Sequence, residues 1–141
     1  MRMPSNRKRG GIVLDIDIAK LEETVAVTKA LLKEGLLATD IWDTTTGLSL
    51  AAHNPQPEAT AMFNMLTLEM HKTLTESGFP GLGGYYILEL QEHNMAVVQM
   101  HGDTLMSGML LNSGVVNLGV LVSVAIPKYA KGVAAAFNDN K

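Results

Sequence analysis

Residues 58–77 constrain this chain more than any other stretch. They read as one helix that is apolar on more than one face. Met62, Leu66, Met70 and Leu74 recur every four residues, and Phe63, Met65 and Leu68 widen the seam well beyond the stripe that covers a single core. Such a helix lays one face on its own sheet. The surplus apolar surface calls for a second surface, most directly that of a partner subunit.

Composition narrows the rest. A chain of 141 residues with 47% apolar content is read as one globular domain with a proper core. It has no cysteine, which removes disulfides, thiol catalysis and thiolate metal sites and fits a reducing cytoplasm. The longest apolar run, residues 115–126, is short for a membrane span and contains Asn117. The basic start is followed at once by Asp15 and Asp17, unlike a signal peptide. Net charge is −3 but unevenly spread: Arg2, Arg7, Lys8 and Arg9 fall in the first eleven residues, leaving seven of the 11 basic residues against 14 acidic ones. That acidic remainder is the wrong sign for a nucleic-acid-binding core. The expected organisation is a basic flexible tail over residues 1–14 and a single domain over residues 15–141.

Taken in order, a first helix is expected over about residues 18–34, with Asp17 as N-cap, Leu21, Val25 and Leu32 on its apolar face, and Gly35 closing it in a left-handed conformation. A hairpin follows, residues 36–42 and 48–53. The second strand alternates with Leu48, Leu50 and Ala52 on one face, as a sheet edge does. Asn54 is expected to cap the central helix, with Pro55 and Pro57 tolerated in its first turn, and Ser77, Gly78 and Pro80 to end it. Three more strands are expected at residues 85–91, 95–101 and 104–111. The last is apolar on both faces and therefore central. A final helical region opens near Asn112 or Ser113 and reaches about residue 138, with a kink at Pro127.

Three stretches in this order carry a resemblance. One is Gly35-Leu36-Leu37-Ala38, leading to Trp42-Asp43 and Gly47-Leu48-Ser49-Leu50-Ala51-Ala52. The second is Met95-Ala96-Val97-Val98-Gln99-Met100. The third is Leu110-Leu111-Asn112, followed by Asn117-Leu118-Gly119. Over roughly residues 17–137 the chain resembles the roadblock/LC7 family, small domains that include dynein light chains and bacterial regulators of gliding-motility GTPases. Pro127 and Gly132 interrupt a final helix that is often continuous in that family, and the basic tail has no counterpart there. The resemblance implies an α+β, profilin-like fold: a five-stranded antiparallel sheet in the order 2-1-5-4-3, the central helix on one face and the terminal helices on the other. It also implies a homodimer made by pairing third strands and packing central helices, which places Phe63, Met65, Thr67, Met70, Tyr85 and Ile87 near the interface.

Chemistry is harder to find. None of His53, His71, His93 and His101 stands at a paired ligand spacing with another histidine, so no metal is expected. The glycine-rich residues 80–84 follow a helix and precede a strand, the reverse of a phosphate cradle. Trp42, flanked by Asp40 and Asp43, would anchor a partner if exposed, but burial under a helix is the expected outcome. The methionines read mainly as core and dimer packing. No nucleophile with an oriented base assembles, so neither catalytic residue nor cofactor is expected. The first reading is a non-enzymatic homodimeric scaffold or regulator of a partner protein, by resemblance a Ras-like small GTPase or a larger complex. All three arginines lie in residues 1–14, which leaves the domain without an arginine finger. The alternative is a small-molecule sensor with an apolar, methionine-lined pocket.

Overall fold

Asp17 starts the first helix as its sequence position suggests: the carboxylate accepts from the Lys20 amide at 3.3 Å. The computed structural model describes residues 15–137, so the tail expected over residues 1–14 and the chain beyond Phe137 lie outside the described residues. Helix α1 (Ile18–Leu32) buries Leu21, Thr24, Val25, Thr28 and Leu32. Its end differs from expectation. Lys33, not Gly35, takes the positive φ of 54°, and Gly35 closes a 3-10 turn over Lys33–Gly35. Gly35 is needed for space instead, because a Cβ there would stand 2.5 Å from Val116 Cγ2.

Strands β1 (Leu36–Asp43), β2 (Ser49–His53), β3 (Tyr85–Leu90), β4 (Asn94–His101) and β5 (Leu105–Asn112) form one antiparallel sheet in the order β2-β1-β5-β4-β3. The fold is α+β with β5 central, as its two apolar faces require. Edge strand β2 is out of the expected phase: Ala51 is its buried residue, whereas Leu48 precedes the strand and is 64% exposed. A register shift between Ile41 and Trp42 breaks the β1–β2 ladder at that point.

The two sheet faces build two cores. On one, α1 and the final helices cover Leu36, Ile41, Val97, Leu105, Met109 and Leu111. On the other, helix α2 (Pro57–Glu76) covers Trp42, Ala96, Val98 and Met106 with Phe63. Asn54 does not cap α2. It takes φ 54° and its side-chain amide donates to the Leu37 carbonyl, while Gln56 holds the N-cap position without a side-chain bond. Proline at the helix start tolerates that arrangement, since the first amides lack intrahelical acceptors anyway.

The last helical region opens later than expected, at Asn117, whose side chain accepts from the Val120 amide. It runs as α3 (Leu118–Val120), a π-helical turn (Leu121–Ala125) and α4 (Ile126–Ala136). The π turn ends at Ala125, two residues before Pro127, whose missing N–H removes the α-helical bond to the Ser123 carbonyl. The stretch Leu118–Ala136 is 19 residues long at mean hydropathy 1.3, long and apolar enough by those measures to cross a membrane. Here it lies along the sheet with Leu121, Ala125, Ile126, Tyr129, Val133 and Ala136 buried.

Candidate functional site

Helix α2 buries only Thr60, Phe63 and Thr67 of its 20 residues. Each has a reason to face the sheet. Phe63 packs on Trp42, Ala96, Val98 and Met106. Thr60 donates to the Asp40 carboxylate, and Thr67 bonds to the Tyr86 hydroxyl at 2.7 Å. Asn64 reaches toward β1, accepting from the Trp42 indole at 3.0 Å and donating to the Thr44 carbonyl. At about 3.6 residues per turn, Met62, Leu66 and Met70 then fall on the opposite flank, which leans over β4 and β3. Met62 is 48% exposed and Leu66 37%, with Met70 half-buried. Among the described residues, strand β3 is the sheet edge beneath that flank and pairs only with β4, which leaves its outer N–H and C=O groups available to a further strand.

The residues expected at an interface therefore divide. Met65 is exposed on the outward side of α2, Met70 lies on the β3 flank, and Tyr85 is exposed at the start of the edge strand. Ile87 packs on the opposite face of the sheet, against the α1 and α4 core. Phe63 and Thr67 are 6% and 2% exposed, spent on the helix–sheet contact within the chain. Met62, Leu66, Tyr86 and Leu88 share the flank with Met70. The regular four-residue repeat of Met62, Leu66 and Met70 was the available sequence signal.

Trp42 is buried, as its bulk suggests. Asp40 sits beside it between Ser49 and Thr60, and burial raises its carboxyl above the ordinary range. Beside Thr67, Leu68 and His71 of the helix lies a cleft of about 380 Å³. Met100, Leu105 and Met106 line it with Leu68 and Leu82, and Thr44, His71 and Asp103 supply polar groups. His71 Nδ1 accepts from the Leu82 amide at 3.1 Å, so that nitrogen carries no proton and Nε2 is the donor. Gly81 lies under the same ring, where a Cβ would stand 2.2 Å from Cε1. On the other sheet face, His101 Nε2 pairs with Ser107 Oγ at 2.8 Å and its ring stacks on Tyr129. Burial lowers its pKa from 6.5 to about 4, so the ring is neutral.

No family model matches the chain, and no curated protein matches it in sequence. Solved structures match it in shape. Myxococcus xanthus MglB superposes with TM-score 0.70 at 8% identity, covering 93% of this chain and 100% of that one. The gliding protein MglB of Thermus thermophilus gives 0.65 at 11% identity, covering 92% and 99%. A roadblock/LC7 domain from Streptomyces avermitilis gives 0.59 at 14% identity, covering 81% and 92%. At these identities the likeness is one of fold, and the chain has the roadblock/LC7 fold.

Proposed function

We propose that this roadblock-fold protein is a non-enzymatic homodimeric regulator that binds a partner protein in the cytoplasm. The observation that carries the reading is the Met62–Leu66–Met70 line, exposed at Met62 and Leu66, beside a β3 edge that no described strand covers. Antiparallel pairing of two β3 edges would extend the sheet across both subunits and bring two α2 flanks together, with Tyr86 and Leu88 beneath them. Met70, Tyr85 and Ile87 join that contact from the two sheet faces. Met65 stands at its outer margin, and Phe63 and Thr67 hold the helix in place from below. The outward side of α2 then remains for a partner: Met65 among Glu58, Glu69, Lys72 and Glu76. Resemblance names a Ras-like small GTPase as the partner class. Any effect on hydrolysis would come from ordering the GTPase's own groups, since the described residues hold no arginine.

Light scattering across a dilution series tests the assembly. A dimer that persists at low micromolar concentration fits an interface of about 1,200–2,000 Å² or more. A monomer at every concentration overturns the reading. Calorimetric titration with a purified Ras-like GTPase in each nucleotide state then tests the partner class.

The methionine-lined cleft under the end of α2 favours a second reading, a sensor for a small ligand. An apolar body would sit over Met100 and Met106, with one acceptor toward His71 and one donor toward Asp103. Native mass spectrometry of the purified protein detects a retained ligand as a discrete added mass. Unmodified mass after gentle purification argues for the regulator.

A further inference from the structure

Asp40 is 7% exposed, and the groups that hold its carboxylate are neutral. The Ser49 hydroxyl donates at 2.7 Å, the Thr60 hydroxyl at 3.4 Å, and the Ile41 amide gives a third bond. No lysine or histidine among the described residues pairs with it. Thr60 stands in the first turn of α2, whose positive end offsets part of the charge, though Glu58 draws on that same end. A buried carboxylate without a counter-ion is costly, and it attracts a cation more strongly than one in open solvent does.

Asp40 also lines a cavity of about 30 Å³ between the start of α2 and the sheet. Small residues make the room: Ala38, Ala59, Ala96 and Gly108 line it. By the measure on which about 10–15 Å³ holds one water, it takes two or three heavy atoms. Its side-chain donors are already spent, Thr39 on the Gly108 carbonyl, Thr60 on Asp40 and Trp42 on Asn64. Gln56 is the one exposed residue of the lining and marks the mouth. Its Nε2 donates to the Asn54 carbonyl, which leaves Oε1 as an acceptor. The lining therefore offers acceptors, one of them charged, over an apolar floor.

We infer that this cavity binds a primary alkylammonium group, its nitrogen between Asp40 and Gln56 Oε1 and its first carbons among Ala38, Ala59 and Ala96. An ammonium has N–H groups for both acceptors, and its charge-assisted bond to the carboxylate displaces the long Thr60 contact. Other polar groups fit less well. Asp40 repels an anion. A guanidinium brings four coplanar heavy atoms and is too wide, and a quaternary ammonium is bulky and has no N–H to give. The group can be the end of a free amine or of a lysine side chain, since both present the same tip. No β3 residue lines the cavity, so the site requires neither the proposed dimer nor its GTPase partner.

Titration of the full chain with n-butylammonium chloride, followed by amide NMR, tests the inference. The expected result is a saturable shift of the Asp40, Gln56 and Thr60 amides in the millimolar range, as suits so small a ligand. Neutral n-butanol and tetramethylammonium are expected to give none. Those comparisons use the unaltered chain and stand whatever the variants do. Asp40→Asn is expected to weaken binding by at least about tenfold, the worth of a hydrogen bond to a charged group. Ala59→Leu fills the cavity while keeping the carboxylate and is expected to abolish binding. Circular dichroism checks that both variants fold. No saturable shift, an equal response to n-butanol, or undiminished binding in either folded variant overturns the proposal. A parallel titration with Nα-acetyl-lysine methylamide separates the sources. Tighter binding than n-butylammonium assigns the group to a lysine of a partner protein, weaker binding assigns it to a free amine, and either order upholds the ammonium site.

Discussion

The hydroxyls of Thr67 and Tyr86 stand 2.7 Å apart, tying the middle of α2 to edge strand β3. Thr67 gives its own hydrogen to the Phe63 carbonyl at 2.6 Å, which makes Tyr86 the donor in the shared bond. Burial raises the Tyr86 pKa and so keeps the phenol protonated for that role. Tyr86→Phe is expected to cost about 1 kcal/mol of folding stability. Urea unfolding at fixed protein concentration measures it; an unchanged midpoint would mean that the bond contributes nothing to the attachment of α2.

Neighbouring positions on α2 separate assembly from folding. Leu66→Glu places a charge on the β3 flank and is expected to convert the dimer to monomer with little loss of secondary structure. Phe63→Ala empties a core position and is expected to cost about 3–5 kcal/mol in stability. Light scattering and thermal melts on both variants check the contrast. A dimer that survives Leu66→Glu would move the interface elsewhere.

At Gly132, α4 packs closely against α1. A methyl group there meets Thr24, a stiff, buried side chain that already donates to the Lys20 carbonyl at 2.9 Å. Gly132→Ala is therefore expected to destabilise by about 1–3 kcal/mol despite its better helix propensity. Thr24→Ala in the same chain should recover part of that loss, as read from melting temperatures.

Acid should act through His101. Its pKa falls from 6.5 in the unfolded chain to about 4 in the folded one, so the unfolded state binds the extra proton first. The contribution is fully present above pH 6.5 and is lost as pH falls toward 4, a change of roughly 3 kcal/mol. Asp40 works in the opposite sense. Its raised pKa gives stability that is present below 3.8 and lost as pH rises through the folded value. Melting temperature followed from pH 7 to pH 4 should fall less steeply in His101→Gln than in the parent chain, with Asp40 opposing the fall in both. Parallel curves would show that the buried ring does not govern the response.

Much of the fold was legible in the sequence because alternation and turn residues act locally. The strands, the central position of β5 and the Asp17 cap follow from two-residue periodicity and side-chain chemistry alone. The phase of α2 was harder, for a physical reason. Hydrophobicity favours Met65 over Thr60 and Thr67 as a buried residue, yet the threonines bury because Asp40 and Tyr86 satisfy their hydroxyls. Those partners lie far away in sequence, and only the folded sheet supplies them. Asn54 misled in the same way: a good N-cap by type, it is claimed by the Leu37 carbonyl across the hairpin. The close packing at Gly132 was invisible for a related reason, since Thr24 and Gly132 come together only when α1 and α4 pack.

A 20-residue helix held to its sheet by three buried side chains is a weakly anchored unit. In an isolated subunit its amides should exchange with solvent sooner than those of β4 and β5, because local opening exposes little apolar surface. Burying the Met62–Leu66–Met70 flank in a second subunit would slow that exchange. The concentration of the protein would thus set how much of each chain is folded at a given moment, and assembly would be the final step of folding rather than an event that follows it.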